Sequence, residues 1–246
     1  MNLFIVGISG KMGRVVCERA KDLGETVSGG LDKMQANAYP TFASAAEVNV
    51  PVDAIIDFSR PDTLDEIIAL CKKFSCPVVL ASTGYTPDDE AKIRKLARSV
   101  PVFRSENMSL GVNALSLLAE KAAAILKDFD IEIVERHHNQ KADAPSGTAK
   151  LLCRALERGL DYSPSYVYGR EGQAKRKERE IGVHAVRGGS IVGEHEITFC
   201  GADEVVTLSH SALSRKIFAD GAIKAAQWLK TQPAGLYDMR DMIKLG

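Results

Sequence analysis

One stretch of the chain, residues 130–150, contains the residue types that proton transfer to an anionic substrate requires. It begins with the alternating apolar pattern of a strand and runs into two adjacent histidines, His137 and His138, followed by Lys141 and Asp143. A histidine has an ordinary pKa near ~6.5, so both of its protonation states are accessible at neutral pH. A lysine supplies a compact positive charge for a carboxylate. The segment therefore combines a proton donor with a cation.

The same stretch ends in a tripeptide typical of a helix N-terminus, Ser146-Gly147-Thr148, and we expect a helix to begin near Ala149. Serine and threonine oxygens accept hydrogen bonds from the backbone N–H groups that the first helical turn leaves free. Those N–H groups and the positive end of the helix dipole also bind carboxylate or phosphate. Two interpretations are open at this point: an active site for an anion that receives a proton, and a strand end whose histidines are only structural.

Length and composition limit the class of protein. The chain has 246 residues, 45% of them hydrophobic, which is enough for a core in one large domain or two small ones. Its 32 basic and 32 acidic residues cancel, which gives no electrostatic reason to expect a nucleic acid or an anionic membrane as partner. The chain lacks both an apolar run of ~18 residues and a secretory signal, so we expect a cytoplasmic protein. Its five scattered cysteines predict reduced thiols rather than a metal site.

A glycine-rich turn follows the first predicted strand, residues 2–8. Gly7, Gly10 and Gly13 form the pattern GxxGxxG, which leads into a helical pattern. It is a spaced relative of the GxGxxG fingerprint, whose glycines permit a tight turn, close approach to a pyrophosphate and close packing of helix on strand. The position between a strand and a helix favours a dinucleotide site over an ordinary tight turn.

The second predicted strand, residues 26–31, ends at Asp32 and Lys33. An acid about 20 residues beyond the glycines accepts hydrogen bonds from the ribose diol of NAD, and a basic neighbour accommodates the 2′-phosphate of NADP. The two residues together predict that either NADH or NADPH serves as cofactor. The alternative is that both are exposed turn residues.

Strands and helices alternate through the N-terminal part of the chain. The strands are continuous apolar runs, as in parallel strands covered on both faces, and the alternation implies βαβ units in a doubly wound sheet. The further elements predicted are strands at 54–58, 78–81 and 102–104 and helices at 62–73 and 87–98. Loops at 82–84 and 105–108 follow two strand ends, where open α/β sheets bind ligands. They are candidates for contacts with the nicotinamide and its ribose, or else ordinary turns.

The pattern changes after about Met108, where strands are no longer separated by helices. A helix at 110–127 comes first, and its apolar residues in register are Leu115, Leu118, Ala122 and Ile125. Later elements are a helix at 148–158 and strands at 165–169, 181–187, 190–199 and 205–210. They predict a second, α+β domain with an antiparallel or mixed sheet. The last helix, 214–230, is expected to pack back on the N-terminal sheet.

Two other polar features have less specific interpretations. The charged segment 170–180 has the basic residues of a phosphate or nucleic-acid patch, but its acids dilute that charge, so we favour a solvated loop. Glu194 and His195 are a second candidate acid–base pair. Because adjacent strand residues face opposite ways, the two are not expected to share a metal ion.

The central stretch resembles the signature of a known family. Residues 135–149, ERHHNQKADAPSGTA, are similar to the active-site signature of the dihydrodipicolinate reductases. The resemblance covers nearly the whole chain through GxxGxMG at the start, DFSRP at 57–61, STG at 82–84, NMSLGVN at 107–113, VGEH at 192–195 and GLYDMRD at 235–241. It implies reduction of dihydrodipicolinate, a small dicarboxylate, by NADH or NADPH in the diaminopimelate route to lysine. It also implies a homotetramer assembled through the sheets of the second domain.

The resemblance implies roles for individual residues. His137 would protonate the carbon beside the one that receives hydride, and Lys141 would hold a substrate carboxylate and stabilise developing negative charge. The residues implied in substrate binding are His138, Lys141, Ser146, Gly147 and Thr148. Those implied in cofactor binding are Gly7, Ile8, Ser9, Gly10, Lys11, Met12, Asp32, Lys33, Ala81, Ser82, Thr83, Ser105, Glu106, Asn107 and Met108. Residues 1–107 and 217–246 would form a Rossmann-like dinucleotide-binding domain, and residues 108–216 a substrate-binding and oligomerisation domain.

The chain departs from the family's usual residues at cofactor positions, whereas the catalytic positions match. Asp32 stands where glutamate is commoner and Lys33 where arginine is frequent, so cofactor preference stays open. In addition, residues 81–83 replace the usual Gly-Thr-Thr, and residues 105–106 replace small residues.

Three other functions are compatible with parts of the sequence. Another two-domain nicotinamide dehydrogenase would lack the central signature. A non-catalytic dinucleotide sensor would be expected to lose His137 or Lys141, and this chain has both. A methyltransferase can also use a glycine-rich turn, but the second domain has no part in that interpretation.

Overall fold

The computed structural model describes residues 1–36 and 38–243. The chain forms two compact units, one of Met1–Leu110 together with the chain from Arg215 onward, the other of Gly111–Ser214. The predicted spans were 1–107 with 217–246, and 108–216. Residues 37 and 244–246 of the first span lie outside the described residues, and the function assigned to each span stays a prediction.

The elements are as follows in chain order. The strands are β1 (Asn2–Val6), β2 (Thr26–Leu31), β3 (Thr41–Phe42), β4 (Ala54–Asp57), β5 (Val78–Leu80), β6 (Pro101–Arg104), β7 (Asp130–His137), β8 (Ser165–Tyr168), β9 (Glu180–Arg187), β10 (Gly193–Cys200), β11 (Val205–Ala212) and β12 (Gly235–Tyr237). The helices are α1 (Lys11–Asp22), α2 (Leu64–Phe74), α3 (Pro87–Leu96), α4 (Leu110–Ile125), α5 (Gly147–Gly159), α6 (Lys216–Leu229) and α7 (Met239–Met242).

The first unit is built on a seven-stranded sheet in the order β12-β6-β5-β4-β1-β2-β3. Its paired strands all run parallel. Two hydrophobic clusters pack on the sheet, and β4 and β5 are buried along their whole length. Burial on both faces explains why these strands are unbroken apolar runs in the sequence. The predicted Rossmann-like, doubly wound fold is confirmed.

The last long helix, α6, packs on β4, β5 and β6, as predicted. Its buried face consists largely of small residues, including Ala219, Ala222 and Ala226. After it the chain returns to the sheet as β12, which pairs with β6. This strand and β3 were not predicted, because strands of two or three residues are too short for an alternating pattern to be recognisable.

The second unit contains a mixed five-stranded sheet in the order β11-β10-β7-β9-β8, which confirms the predicted α+β architecture. Strand β10 runs antiparallel to β7 and β11, whereas β7, β9 and β8 run parallel. Side chains from α4 and α5 join those of one sheet face in a single hydrophobic cluster. That face is therefore the one on which buried polar groups need partners within the protein.

The predicted apolar face of α4 is wrong at two of its four positions. Leu118 and Ile125 are 47% and 78% exposed, and the buried residues of this helix include Ala119 and Ala123. The reason is a close approach between helices: a Cβ on Gly159, at the end of α5, would lie 2.2 Å from the carbonyl oxygen of Glu120. Such a separation leaves room for alanine but not for leucine at the contact.

The charged segment 170–180 is exposed along most of its length, as a solvated loop would be. Two of its arginines are nevertheless bound to the sheet. Arg170 pairs with Glu180, and Arg176 pairs with Glu132 and, at 2.9 Å, with Asp130. The segment is thus held by ion pairs that its sequence did not predict. Among the described residues, no helix is long and apolar enough to cross a membrane.

Candidate active site

Strand β7 carries two polar side chains on its buried face. Ile131 and Ile133 belong to the hydrophobic core, and the same alternation places Glu135 and His137 on that face one and two steps further along. Glu135 is fully buried and His137 is 8% exposed. A carboxylate buried in this way is costly unless it is paired and hydrogen-bonded.

Glu135 has four hydrogen-bond donors around its two carboxylate oxygens. One oxygen, Oε2, accepts from His137 Nδ1 at 2.5 Å and from Arg187 Nη1 at 2.7 Å. The other, Oε1, accepts from Arg187 Nη2 at 2.7 Å and from the backbone N–H of Ser146 at 3.0 Å. Burial alone would raise the pKa of Glu135, but Arg187, His137 and the Ser146 N–H together hold that pKa below its ordinary value. The carboxylate is therefore ionised.

His137 is held by this carboxylate on one side and faces a glycine on the other. Its Nε2 lies beside Gly193 of β10, where an added Cβ would be 3.1 Å away. Burial lowers the pKa of His137, and this outweighs the opposing effect of Glu135. The positive charges of Lys141 and Arg187 lower the pKa further. Such a histidine is a stronger acid than one in water and releases its proton readily.

A second histidine packs against the first. His195 of β10 is 4% exposed, and its ring meets that of His137 edge to face, with centroids 5.1 Å apart. Its Nε2 lies 3.0 Å from Ser146 Oγ. Burial, with the charge of His137, lowers the pKa of His195 to about 3. This ring is therefore neutral at physiological pH and is not a competing proton donor.

The helix N-terminus predicted from Ser-Gly-Thr is present, with Ser146 as its cap and α5 beginning at Gly147. Ser146 Oγ accepts from the N–H of Ala149 at 3.1 Å. Gly147 is exposed and Thr148 is partly exposed, so the first turn of α5 can be reached by a ligand. Because the Ser146 N–H donates to Glu135, one carboxylate contacts both this helix end and the candidate proton donor, His137.

The loop between β7 and α5 holds the remaining candidates for substrate binding. Lys141 Nζ lies 2.7 Å from Asp143 Oδ1, and the N–H of Lys141 donates to the carbonyl of His138 at 3.1 Å. Arg187 Nη2 also donates to the carbonyl of Asp143 at 2.7 Å. Arg187 thus holds this loop in place in addition to binding Glu135. His138 and Lys141 are both partly exposed.

Three members of this group were not connected with His137 from the sequence. Glu135 and Arg187 were given no role, and His195 was considered only together with Glu194, as an acid–base pair. Strand alternation alone could have joined Glu135 to His137. Arg187 and His195 lie on other strands, opposite His137 and Glu135 respectively, and only the register of the sheet brings them close. Across residues 1–36 and 38–243, no group of three or more His, Cys, Asp or Glu side chains is arranged to hold a metal ion.

The first unit carries the glycine-rich turn between β1 and α1. Gly7 has a positive φ of 80°, and its N–H donates to the carbonyl of Leu31 on β2. A Cβ on Gly13 would lie 2.2 Å from the carbonyl oxygen of Gly7, so only glycine allows α1 to approach the turn this closely. Gly10 and Lys11, at the start of the helix, are exposed. The exposed first turn of α1 can therefore offer N–H groups to a phosphate.

Asp32 braces this turn from the end of β2. One carboxylate oxygen accepts from the N–H of Ser9 at 2.9 Å and the other from the N–H of Met34 at 3.1 Å. Ser9 Oγ in turn donates to the carbonyl of Met34 at 2.6 Å. Lys33 is exposed. The acid predicted to meet a ribose is thus fixed in position by backbone amides.

The other candidate cofactor residues follow strand ends at the carboxyl edge of the same parallel sheet. Ala81–Thr83 succeed β5, and Ser105–Met108 succeed β6. Thr83 and Glu106 are exposed, whereas Ser82 and Ser105 are buried. Ile8 and Met108 are 1% and 2% exposed within the core, so only the backbone of these two residues is suited to contact a ligand.

Asp57, at the end of β4, is a buried acid that received no role from the sequence. It accepts from the N–H of Ser59 at 2.9 Å and from the hydroxyl of Tyr85 at 3.2 Å. Burial raises its pKa, although these donors oppose the effect. Its hydrogen bonds hold the turn after β4 in place.

Comparison with known proteins identifies the family. The model of the dihydrodipicolinate reductase N-terminus matches residues 1–108, and that of the C-terminus matches residues 111–243. The chain belongs to the dihydrodipicolinate reductase family. Two relatives named 4-hydroxy-tetrahydrodipicolinate reductase cover nearly all of it. The one from Caldanaerobacter subterraneus subsp. tengcongensis is 45% identical over 100% of this chain and 99% of its own. The one from Clostridium tetani is 41% identical over 99% of this chain and 97% of its own.

Solved structures agree with this family in fold. Dihydrodipicolinate reductase from Paenisporosarcina sp. TG-14, bound to dipicolinate, is 23% identical and superposes with a TM-score of 0.83 over 99% of both chains. An aspartate dehydrogenase from Thermotoga maritima reaches a TM-score of 0.51 at 14% identity, with 95% of this chain covered and 98% of that one. The two-unit fold is therefore shared with other dehydrogenases.

Proposed function

We propose that this oxidoreductase uses NADH or NADPH to reduce dihydrodipicolinate (4-hydroxy-tetrahydrodipicolinate) to tetrahydrodipicolinate, a step in the diaminopimelate route to lysine. Family membership over both units supports the reaction. The observation that carries the proposal is the buried Glu135–His137 pair beside the capped N-terminus of α5. A dicarboxylate that accepts a proton needs both a proton donor and a site for its negative charge. Here the carboxylate of Glu135 joins these two parts of the site.

The chemistry divides into a hydride and a proton. The nicotinamide cofactor, when bound, supplies the hydride to a conjugated imine-type acceptor. The electron pair displaced by that addition moves to the neighbouring carbon. His137 then forms the new C–H bond there by releasing its proton to that carbon, and it becomes neutral. General acid catalysis of this kind contributes about 10²–10⁴-fold to a rate.

The substrate's carboxylates are assigned to the loop after β7 and to the start of α5. We assign one to Lys141 and His138, and another to Ser146, Gly147 and Thr148. The exposed first turn of α5 supports the second assignment, since the positive end of a helix dipole attracts an anion. Lys141 already pairs with the exposed carboxylate of Asp143. A substrate carboxylate would compete for the same ammonium group and be stabilised by its charge as the electrons shift.

The cofactor is assigned to the glycine-rich turn and the strand ends of the first unit. A carboxylate has about four acceptor sites, so Asp32 can accept from a ribose while the N–H groups of Ser9 and Met34 still donate to it. The exposed ammonium group of Lys33 is suited to a 2′-phosphate. We therefore propose that both NADH and NADPH are used.

We assign the interface between copies of the chain to the second unit. The α4–α5 cluster covers one face of its sheet, and strands of this sheet also carry exposed apolar side chains such as Val186, Val205 and Tyr168. Exposed apolar area of this kind supports an interface between copies. We propose a homotetramer formed through these sheets. The use of nicotinamide cofactors in amino-acid synthesis supports a cytoplasmic location.

A coupled assay tests the reaction. Freshly made dihydrodipicolinate is supplied, and the loss of NADH and of NADPH absorbance is followed separately. Oxidation of at least one cofactor, dependent on both protein and substrate, is the expected result. If neither cofactor is oxidised although the protein binds NADH in a fluorescence titration, the proposed substrate is wrong.

A further inference from the structure

The hydrogen bonds around Glu135 determine which nitrogen of His137 carries the transferable proton. An ionised carboxylate can only accept hydrogen bonds. Glu135 is kept ionised by the two-pronged contact with Arg187, at 2.7 Å for each nitrogen. The atom of His137 that lies 2.5 Å from this carboxylate, Nδ1, must therefore be the one that donates. Neutral His137 then has its lone pair on Nε2, and the second proton, when present, is on Nε2.

The surroundings of Nε2 suit a proton that leaves the ring. Gly193 provides the space beside it, because any side chain there would begin only 3.1 Å from Nε2. The other ring nearby, that of His195, meets the His137 ring edge to face and has its own Nε2 hydrogen-bonded to Ser146 Oγ. Because Nδ1 of His137 is hydrogen-bonded to Glu135, Nε2 is the ring nitrogen available to a substrate.

We propose that Glu135 and Arg187 are positioning residues for the reduction: they hold His137 with hydrogen on Nδ1, so that the proton given to substrate is always the one on Nε2, beside Gly193. This inference rests on the proposed function for its kinetic part, whereas the tautomer is a property of the protein without substrate. The hydrogen bond made by one ring nitrogen commonly decides the state of the other.

The charges that face His137 come from four segments. Glu135 lies on its own strand, Arg187 on β9, His195 on β10, and Lys141 in the loop after β7. Glu135 favours the protonated ring, whereas Arg187 and Lys141 disfavour it. Removing Glu135 or Arg187 should therefore move the pKa of His137 in opposite directions. A role limited to structural support of the fold would not produce opposite shifts.

The first experiment is nitrogen NMR of the histidine side chains in the wild-type protein without substrate, assigned with His137→Gln. Above the pKa of His137, we expect hydrogen on Nδ1 and a free lone pair on Nε2. Hydrogen on Nε2 would overturn the proposal whether or not the protein reduces dihydrodipicolinate. Failure of the coupled assay, in contrast, would overturn the proposed function and leave this result intact.

The second experiment compares Glu135→Gln with Arg187→Gln. Glu135→Gln should lower the pKa of His137 and move the fall in kcat/KM with rising pH to lower pH. Arg187→Gln should raise that pKa and move the same fall to higher pH. Both variants should lose about tenfold or more in kcat with little change in NADH affinity, since a general acid out of position loses part of its contribution of about 10²–10⁴-fold.

Glu132→Gln is the matched control. Glu132 lies on the same strand as Glu135 but on the opposite face, where it pairs with His184 at 2.8 Å. Glu132→Gln therefore removes a carboxylate from a Glu–His pair, as Glu135→Gln does. It should leave the His137 signals and the pH profile unchanged. Equal pKa values for His137 in the wild type, Glu135→Gln and Arg187→Gln would overturn the proposal. If a variant does not fold, the wild-type spectrum still decides the tautomer.

Discussion

The proposed proton-donor site of the second unit and the glycine-rich turn of the first are built in opposite ways. Around His137, buried side chains hydrogen-bond one another, and Glu135 has all its acceptor sites occupied. Around the turn between β1 and α1, the defining feature is the absence of side chains at Gly7 and Gly13, and the groups left for a ligand are mostly backbone amides.

The two sites therefore depend on different features of the chain. The first depends on functional groups, so a substitution that keeps size but changes charge should damage it. The second depends on close backbone approach, so even the addition of one methyl group should damage it. If the two units perform separate parts of the reaction, substitutions in each should change a different constant. Those in the second unit should lower the turnover number, and those in the first should weaken cofactor affinity.

Lys141→Ala should have a larger effect than the substitutions of Gly13, Lys33 and Asp32 that also test this contrast. Loss of a charge-assisted hydrogen bond removes about 1.5–3 kcal/mol, which corresponds to about 10- to 100-fold in kcat/KM for the substrate. The affinity for NADH should not change. Steady-state kinetics with substrate varied, at saturating NADH, measures the effect. Lys121→Ala, which removes an exposed lysine of α4, is the control. An equal loss in the control would remove the assigned role of Lys141.

Gly13→Ala should weaken cofactor binding by about tenfold and lower stability. Its Cβ would lie 2.2 Å from the carbonyl oxygen of Gly7, so α1 must move away from the turn, and overpacking of this kind costs about 1–3 kcal/mol. Fluorescence titration with NADH and thermal unfolding measure the two effects. Lys21→Ala, an exposed position on the same helix, is the control. Unchanged NADH affinity in Gly13→Ala would show that this turn does not bind the cofactor.

The smallest effect is expected for cofactor choice. Lys33→Ala should lower the preference for NADPH by about two- to fivefold, because an exposed charge contributes about 0.2–1 kcal/mol. Asp32→Ser should raise the NADPH preference, since it removes both an acceptor for the ribose and a repulsive charge. The ratio of kcat/KM for the two cofactors measures both changes. Shifts in the same direction for the two variants would contradict the proposed contacts.

The sequence was most informative where the pattern is local. Strand β2 has the bounds that the sequence predicted, and the helix opened by Ser146 begins within two residues of its predicted start. Such elements depend on apolar periodicity and on one capping residue, both of which are visible in a short window. The mixed sheet of the second unit followed from strands that are not separated by helices.

The partners of His137 could not be predicted in the same way. Arg187 and His195 are 50 and 58 positions beyond His137 in the sequence, and only strand register brings them to it. The same limit explains the error in α4, where Leu118 fits the helical pattern but Ala119 is buried instead. Which face of an apolar helix is covered depends on how closely its neighbour approaches, and here the neighbour ends in Gly159.

The measurement that tests the central claim most directly is the turnover number of His137→Ala at saturating substrate, with the NADH dissociation constant of the same preparation. If His137 gives the proton and the first unit binds the cofactor, turnover should fall about 10²–10⁴-fold while NADH affinity keeps its wild-type value. Turnover equal to wild type, or a loss fully explained by weaker NADH binding, would contradict this division of the reaction.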